Sequence, residues 1–267
     1  MAIALQVIGL SKRFGSHQAV DELNLQVPEG TFYALLGANG AGKTTTLRMV
    51  TGLLQPDQGD ALILGRSITQ QPNKAKKLLA YLPDEPMLYG KLRPLEYLEF
   101  VAGLWGTAGD RAASRATDLL KKLNLWDVRN DFAETFSRGM KQKLALAGAF
   151  IHEPHVVILD EPLSGLDAVA ARLVKTMLNE YVAEGKTVIF TTHTMAIAER
   201  TAQRIGIINH GTLIAEGTLE DLQAQSRELG GEFADDSDLE SIFLQLTASP
   251  VQAPADSDAP LSQDEWG

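Results

Sequence analysis

Gly37-Ala38-Asn39-Gly40-Ala41-Gly42-Lys43-Thr44 has the spacing G-x-x-x-x-G-K-[ST], and its reading decides the fold. Phe32-Tyr33-Ala34-Leu35-Leu36 just before it is apolar and predicts a buried strand. Thr45-Thr46-Leu47-Arg48-Met49-Val50 after it predicts a helix. Glycines at 37, 40 and 42 let the backbone curl until successive N–H groups converge on an anion. The helix N-terminus adds partial positive charge at the same point. Lys43 would reach the β- and γ-phosphates of a nucleotide, and the Thr44 hydroxyl would ligate Mg²⁺.

A second signal lies downstream. His155-Val156-Val157-Ile158-Leu159-Asp160-Glu161 is an apolar strand ending in two acids. Ligands of α/β sheets sit beyond the carboxyl ends of strands. Asp160 would therefore emerge beside the phosphate loop and hold Mg²⁺. Glu161, next in line, can polarise an attacking water as general base.

Working outward, 3–8 and 18–27 read as two early strands joined at Gly15-Ser16. Leu62-Ile63-Leu64 reads as a short strand bounded by Gly59 and Gly65, and Leu79-Ala80-Tyr81-Leu82 as another, stopped by Pro83. Residues 94–152 change character. Leu95, Leu98, Val101 and Ala102, then Ala116, Leu119, Leu120 and Leu123, recur at helical spacing. Strands return at Val156-Leu159, Thr187-Thr191 and Ile205-Asn209, with a helix at about 168–184 between the first two. The fold class is α/β: a phosphate-loop NTPase core with a mostly parallel sheet, an N-terminal antiparallel part and a helical insert. One domain is expected over 1–247, with core 1–93 and 153–217, insert 94–152 and a C-terminal helical segment 218–247.

The 267 residues are 45% hydrophobic, as a globular core requires, and no apolar run is long enough for a transmembrane helix. Met1 to Gly9 lacks a basic n-region and alternates Ile3, Leu5 and Val7, so it reads as a strand. No cysteine is present, which fits the cytosol. The net charge of −10 is uneven, because Glu232 to Gly267 holds nine acids and no Lys or Arg. The remaining body is nearly neutral, so a basic nucleic-acid face has no support. Residues 248–267 are rich in Ser, Pro, Ala and Asp and read as a disordered acidic tail.

At this point the chain resembles the ATP-binding cassette family, the nucleotide-binding subunits of ABC transporters, from about Ile3 to Leu246. Lys12-Arg13-Phe14-Gly15 is similar to the aromatic loop, implying that Phe14 stacks on adenine. The phosphate loop then implies ATP contacts from Gly37, Asn39, Gly40, Ala41, Gly42, Lys43, Thr44 and Thr45. Ser164-Gly165-Leu166-Asp167 resembles the D-loop, implying that Asp167 touches a partner cassette and the opposite site. Thr191-Thr192-His193 resembles the switch region, implying that His193 contacts the γ-phosphate and helps orient water. The resemblance thus assigns catalysis to Glu161, His193 and Lys43.

Two motifs depart from the family pattern. The signature loop, normally L-S-G-G-Q, is Phe136-Ser137-Arg138-Gly139-Met140. Ser137 and Gly139 keep the positions that imply contacts to the γ-phosphate of the opposite protomer. Arg138 either adds charge near phosphate or lies on the surface. Asp84 takes the position of the usual glutamine, where a carboxylate can still bind Mg²⁺ or water but donates no hydrogen bond when ionised. The L-P-D-E-P-x-L-Y run at 82–89, the S-x-G-M-K-Q-K run at 137–143 and Asp238 to Thr247 resemble the bacterial export branch.

The resemblance implies an ATP- and Mg²⁺-dependent ATPase in a dimer of cassettes, either two copies or a related pair. It would drive a separate membrane permease from the cytoplasmic face, docked near Asp84 to Tyr89, where Pro86, Met87, Leu88 and Tyr89 could receive a helix. The competing readings are a soluble cassette ATPase without a transporter and a regulatory subunit that hydrolyses weakly.

Overall fold

The computed structural model describes residues 2–107, 109–228 and 238–248. The acidic tail read at 248–267 lies outside the described residues beyond Ala248, the last residue of a helix.

In chain order the elements begin with strands β1 (Ile3–Phe14), β2 (His17–Pro28) and β3 (Phe32–Leu36), then α1 (Lys43–Val50). Strands β4 (Gln58–Ile63) and β5 (Arg66–Ser67), helix α2 (Pro72–Lys76) and β6 (Leu79–Leu82) follow. Three longer helices come next: α3 (Pro94–Leu104), α4 (Asp110–Lys122) and α5 (Arg138–Phe150). The second half alternates β7 (Val156–Asp160), α6 (Ala168–Ala183), β8 (Thr187–Thr192), α7 (Met195–Thr201), β9 (Arg204–Asn209) and β10 (Thr212–Gly217). Helices α8 (Leu219–Glu228) and α9 (Leu239–Ala248) close it.

Among the described residues these strands form two sheets. One is four-stranded and antiparallel, in the order β2-β1-β4-β5. The other is six-stranded, in the order β10-β9-β3-β8-β7-β6, and is parallel except for the β9–β10 hairpin. The phosphate-loop strand β3 is therefore flanked on both sides.

The apolar runs are continuous because both faces of this sheet are covered. Side chains alternate across a strand. Phe32, Ala34 and Leu36 of β3 join Val157 and Leu159 of β7 and Val188 and Phe190 of β8 in one core with the helical insert. Tyr33 and Leu35 point the other way, with Val156, Ile158 and Ile189, into a second core against α1 and the antiparallel sheet. The expected insert is helical, as Leu98, Ala102, Ala116, Leu120 and Leu144 seal it onto the first core.

Three local expectations change. The early strands run to Phe14 and Pro28, beyond 3–8 and 18–27. The strand expected at Leu62–Leu64 begins earlier, at Gln58, with Gly59 inside it at φ 80° against the carbonyls of Ile8 and Gly9. Leu64 falls outside it, because its φ of 47° turns the chain.

Candidate nucleotide site

The ends of β1, β3, β7 and β8 meet at one cavity of about 510 Å³. It is lined by Phe14 and His17 at one end, by Asn39, Gly40, Gly42, Lys43, Thr44 and Thr45 of the phosphate loop, and by Asp84, Asp160, Glu161, Ser164 and His193. Gly37 and Ala41, expected to contact ATP, do not line it. Ala41 is buried in the second core and its carbonyl accepts the Gly211 N–H at 2.9 Å. Gly42 has φ 103°, and a Cβ there would stand 2.5 Å from the Ala19 carbonyl, so only glycine fits.

Lys43 is nearly buried, and its Nζ donates to the carbonyls of Gly37 at 2.7 Å and Ala38 at 3.0 Å. Burial pushes its ammonium below the usual lysine range, while the charges of Glu161 and Asp160 pull it back up. A bound anion would supply the countercharge that two neutral carbonyls lack.

Asp160 is 4% exposed and uses both carboxylate oxygens. It accepts from the Thr44 hydroxyl at 3.0 Å and from the Thr191 hydroxyl at 2.5 Å. The Thr191 hydroxyl in turn accepts the Glu161 N–H at 3.1 Å. This chain ties the tips of α1, β7 and β8 together. Asp160 and Thr44 present hard oxygen donors side by side, a set that suits Mg²⁺, which takes one or two carboxylates and completes its shell with phosphate oxygens and water.

Glu161 has φ 49°, a left-handed conformation costing about 1–3 kcal/mol for a residue with a side chain. It directs the carboxylate, 17% exposed, into the cavity, where Oε1 lies 2.9 Å from His193 Nδ1. Such strain persists where surrounding structure over-determines it, here the bonds of Asp160 and Thr191.

Phe14 is half exposed at the cavity mouth, paired with His17 across the β1–β2 turn. The Lys12 ammonium sits 5.8 Å from its ring and is held by Asp57 at 2.7 Å. His17 and Ala19 also line the cavity although no motif names them, and for His17 the hairpin register opposite Phe14 is the available signal. Ser164 lies in the D-loop run and Thr191 in the switch run, and neither carries a site role by sequence alone.

Ser137, Gly139 and Asp167 do not line this cavity. Ser137 caps α5, accepting the Met140 N–H at 3.3 Å, and Asp167 caps α6, accepting the Ala170 N–H at 2.7 Å. Asp84 does line it, and its nearest cationic group is Arg138, with Nη2 3.9 Å from Oδ1.

Beside the site, Met87 is 96% and Tyr89 61% exposed, whereas Leu88 packs against the first core. Tyr89 meets Phe100 edge to face at 5.1 Å, and the exposed Leu104 lies one helical turn beyond Phe100. The apolar surface thus draws on α3 as well as on the 86–89 segment.

A phosphate loop and an acid-tipped strand at one end of a parallel sheet define a nucleotide-binding ATPase cassette. Comparison with known proteins agrees. The family model described as "ABC transporter" matches residues 20–164. The chain is 38% identical over 237 residues to the probable multidrug ABC transporter ATP-binding protein YbhF of Escherichia coli (strain K12), covering 89% of this chain and 40% of that one. It is 34% identical over 259 residues to the daunorubicin/doxorubicin resistance ATP-binding protein DrrA of Streptomyces peucetius, covering 97% and 74%. A solved structure of an ATP-binding subunit of an ABC transporter superposes with a TM-score of 0.83 at 33% identity, covering 91% of this chain and 99% of that one. This chain belongs to the ABC transporter ATP-binding family, and its named relatives are of the drug-resistance and export type.

Proposed function

We propose that the chain is the ATP-hydrolysing subunit of an exporter, closing with a second cassette on ATP and driving a separate membrane permease. The observation that carries this reading is the convergence of Lys43, Thr44, Asp160, Glu161 and His193 on one cavity.

ATP would lay its base on Phe14 and its phosphates against the Gly40–Thr45 amides. Lys43 would leave the Gly37 and Ala38 carbonyls for the β- and γ-phosphates. Thr44 and Asp160 would hold Mg²⁺, which neutralises charge on the β- and γ-phosphate oxygens when bound. Glu161 accepts a proton from the attacking water as its oxygen bonds to the γ-phosphorus. The bond from that phosphorus to the bridging oxygen breaks, and its electron pair leaves with ADP. His193, hydrogen-bonded to Glu161, holds that carboxylate and faces the γ-phosphate. Ser137 and Gly139 of the partner subunit would close the site from the other side, in keeping with their absence from the cavity of their own chain. ATP is then a ligand of the closed dimer, and its cleavage removes the preference.

Among the described residues no helix is long and apolar enough to cross a membrane. The surface of Met87, Tyr89, Phe100 and Leu104 is of the kind a permease helix covers. Peripheral attachment to the inner face of the cell membrane follows from that docking.

The deciding experiment is ATP hydrolysis by the purified chain, alone and with what co-purifies from membranes. Turnover strongly lowered by Glu161→Gln, together with a polytopic membrane protein in the eluate, supports the proposal. Turnover without any membrane partner moves the reading to a soluble cassette ATPase. Binding without turnover moves it to a regulatory subunit.

A further inference from the structure

Arg138 opens α5 at a place where local preference opposes it. The first turn of a helix favours acids over bases, and α5 has no acid there. The structure shows what the guanidinium does instead. Its Nη2 lies 3.9 Å from Asp84 Oδ1 and 3.4 Å from Ser164 Oγ. Its stem crosses Gly165, where a Cβ would stand 2.8 Å from Arg138 Nε and 2.9 Å from Cδ. Gly165 also has φ 72°, so a glycine satisfies both the turn and the close approach. On the other side of the same turn, a Cβ at Gly139 would stand 3.5 Å from the Gly165 carbonyl.

The turn under Arg138 begins at Glu161, closed by the Ser164 N–H donating to the Glu161 carbonyl at 3.0 Å. Asp84 and Ser164 both line the nucleotide cavity. Arg138 therefore joins the helical insert to two walls of its own chain's site, and one wall carries the strained Glu161. Two of the positions that depart from the family pattern, Arg138 and Asp84, an added cation and an added anion, face each other.

We propose that Arg138 is a positioning residue for this chain's own site. Anchored by Asp84, it holds the 161–165 turn, and with it Glu161, in place, and Asp84 serves as the countercharge of Arg138 rather than as a metal ligand. The pair is partly exposed, at 65% and 46% of its side chains, so its contribution to global stability is small. Its effect lies in geometry, where a small misplacement of a reacting group costs up to about 10²-fold in rate. The inference rests on the hydrolytic role of Glu161 for its kinetic arm only.

The test is a double-mutant cycle on the full chain with Arg138→Ala, Asp84→Ala, the double variant and the charge swap Asp84→Arg/Arg138→Asp. Steady-state hydrolysis and backbone hydrogen exchange are both read. Each single variant is expected to lower kcat about tenfold with KM nearly unchanged. The double variant should be no slower than either single one, the swap should recover part of the rate, and Arg138→Lys should retain most of it. Amides of residues 163–166 should exchange severalfold faster in both single variants, a readout that stands even if the wild-type chain does not turn over ATP. Three results overturn the proposal. One is unchanged exchange at 163–166. Another is a rate loss for Arg138→Ala but none for Asp84→Ala, which would place Arg138 on a phosphate of the partner's site. The third is an Asp84→Ala variant rescued by excess Mg²⁺ alone, which would make Asp84 a metal ligand.

Discussion

His193 Nδ1 lies 2.9 Å from Glu161 Oε1, joining the tip of β8 to the tip of β7 at the mouth of the nucleotide cavity. The contact leaves the second Glu161 oxygen for a water and fixes the ring that faces it. Replacing Glu161 by Gln keeps the shape and removes the proposed base. Turnover should fall by roughly 10²–10⁴-fold, while ATP affinity stays within a few-fold. Single-turnover hydrolysis beside equilibrium ATP binding checks both halves, and near-normal hydrolysis would remove Glu161 from its role.

Lys43 should act on binding as well as on rate. Its ammonium now satisfies two carbonyls and would exchange them for phosphate oxygens. Charge-assisted hydrogen bonds of this kind contribute about 1.5–3 kcal/mol, so Lys43→Ala should weaken ATP affinity by roughly 10–100-fold. Calorimetric titration with a non-hydrolysable ATP analogue measures it, and unchanged affinity contradicts the loop assignment.

The exposed apolar surface predicts a separation of functions. Met87→Asp combined with Phe100→Asp places two charges where a permease helix would pack, at residues that take no part in the hydrogen bonds around Asp160. Co-purification with a membrane subunit should be lost, while ATP binding by the isolated chain is retained. Retained association would move the docking surface elsewhere. Leu88 is a poor target, because it packs against the first core and its loss would disturb the fold.

Glu216 gives a prediction about pH. Burial raises its carboxyl above the usual glutamate range, and the nearby Arg204 and Tyr33 only partly offset that. The folded chain therefore holds this proton more tightly than the unfolded chain. Its contribution to stability is greatest below the unfolded value and falls as pH rises through the folded one. Glu216→Gln should raise the melting temperature at neutral pH and flatten its fall with pH across that window. Thermal unfolding from pH 4 to 8 checks the direction, and a lower melting temperature at pH 7 contradicts it.

Much of the candidate site is legible in sequence because its residues are fixed by local order. Lys43 and Thr44 follow a strand and open a helix, Asp160 and Glu161 end a strand, and His193 follows another. Each placement depends on a few neighbours in sequence and on the rule that ligands gather at strand ends. What escaped depends on distant packing. Nothing near Arg138 indicates Asp84, since loop closure across the helical insert brings them together. β10 carries weak alternation, with Leu213 and Ile214 only partly buried, so the sequence signals no strand there. Gly59 reads as a boundary in sequence, whereas in the fold it makes room for the Ile8 and Gly9 carbonyls inside β4.

The strand order carries a mechanical consequence. β3, which presents the phosphate loop, is hydrogen-bonded to β8 and β9 along both edges, while β6 is bonded only to β7 among the described residues. The anion cradle thus hangs from a strand held along both edges, and the segment after β6 leaves from the rim of the sheet. A pull from a neighbour on that rim can tilt the segment and its helices without shearing the strand that grips the nucleotide. The chain can yield at one end and stay clamped at the other, as a lever needs a fixed pivot.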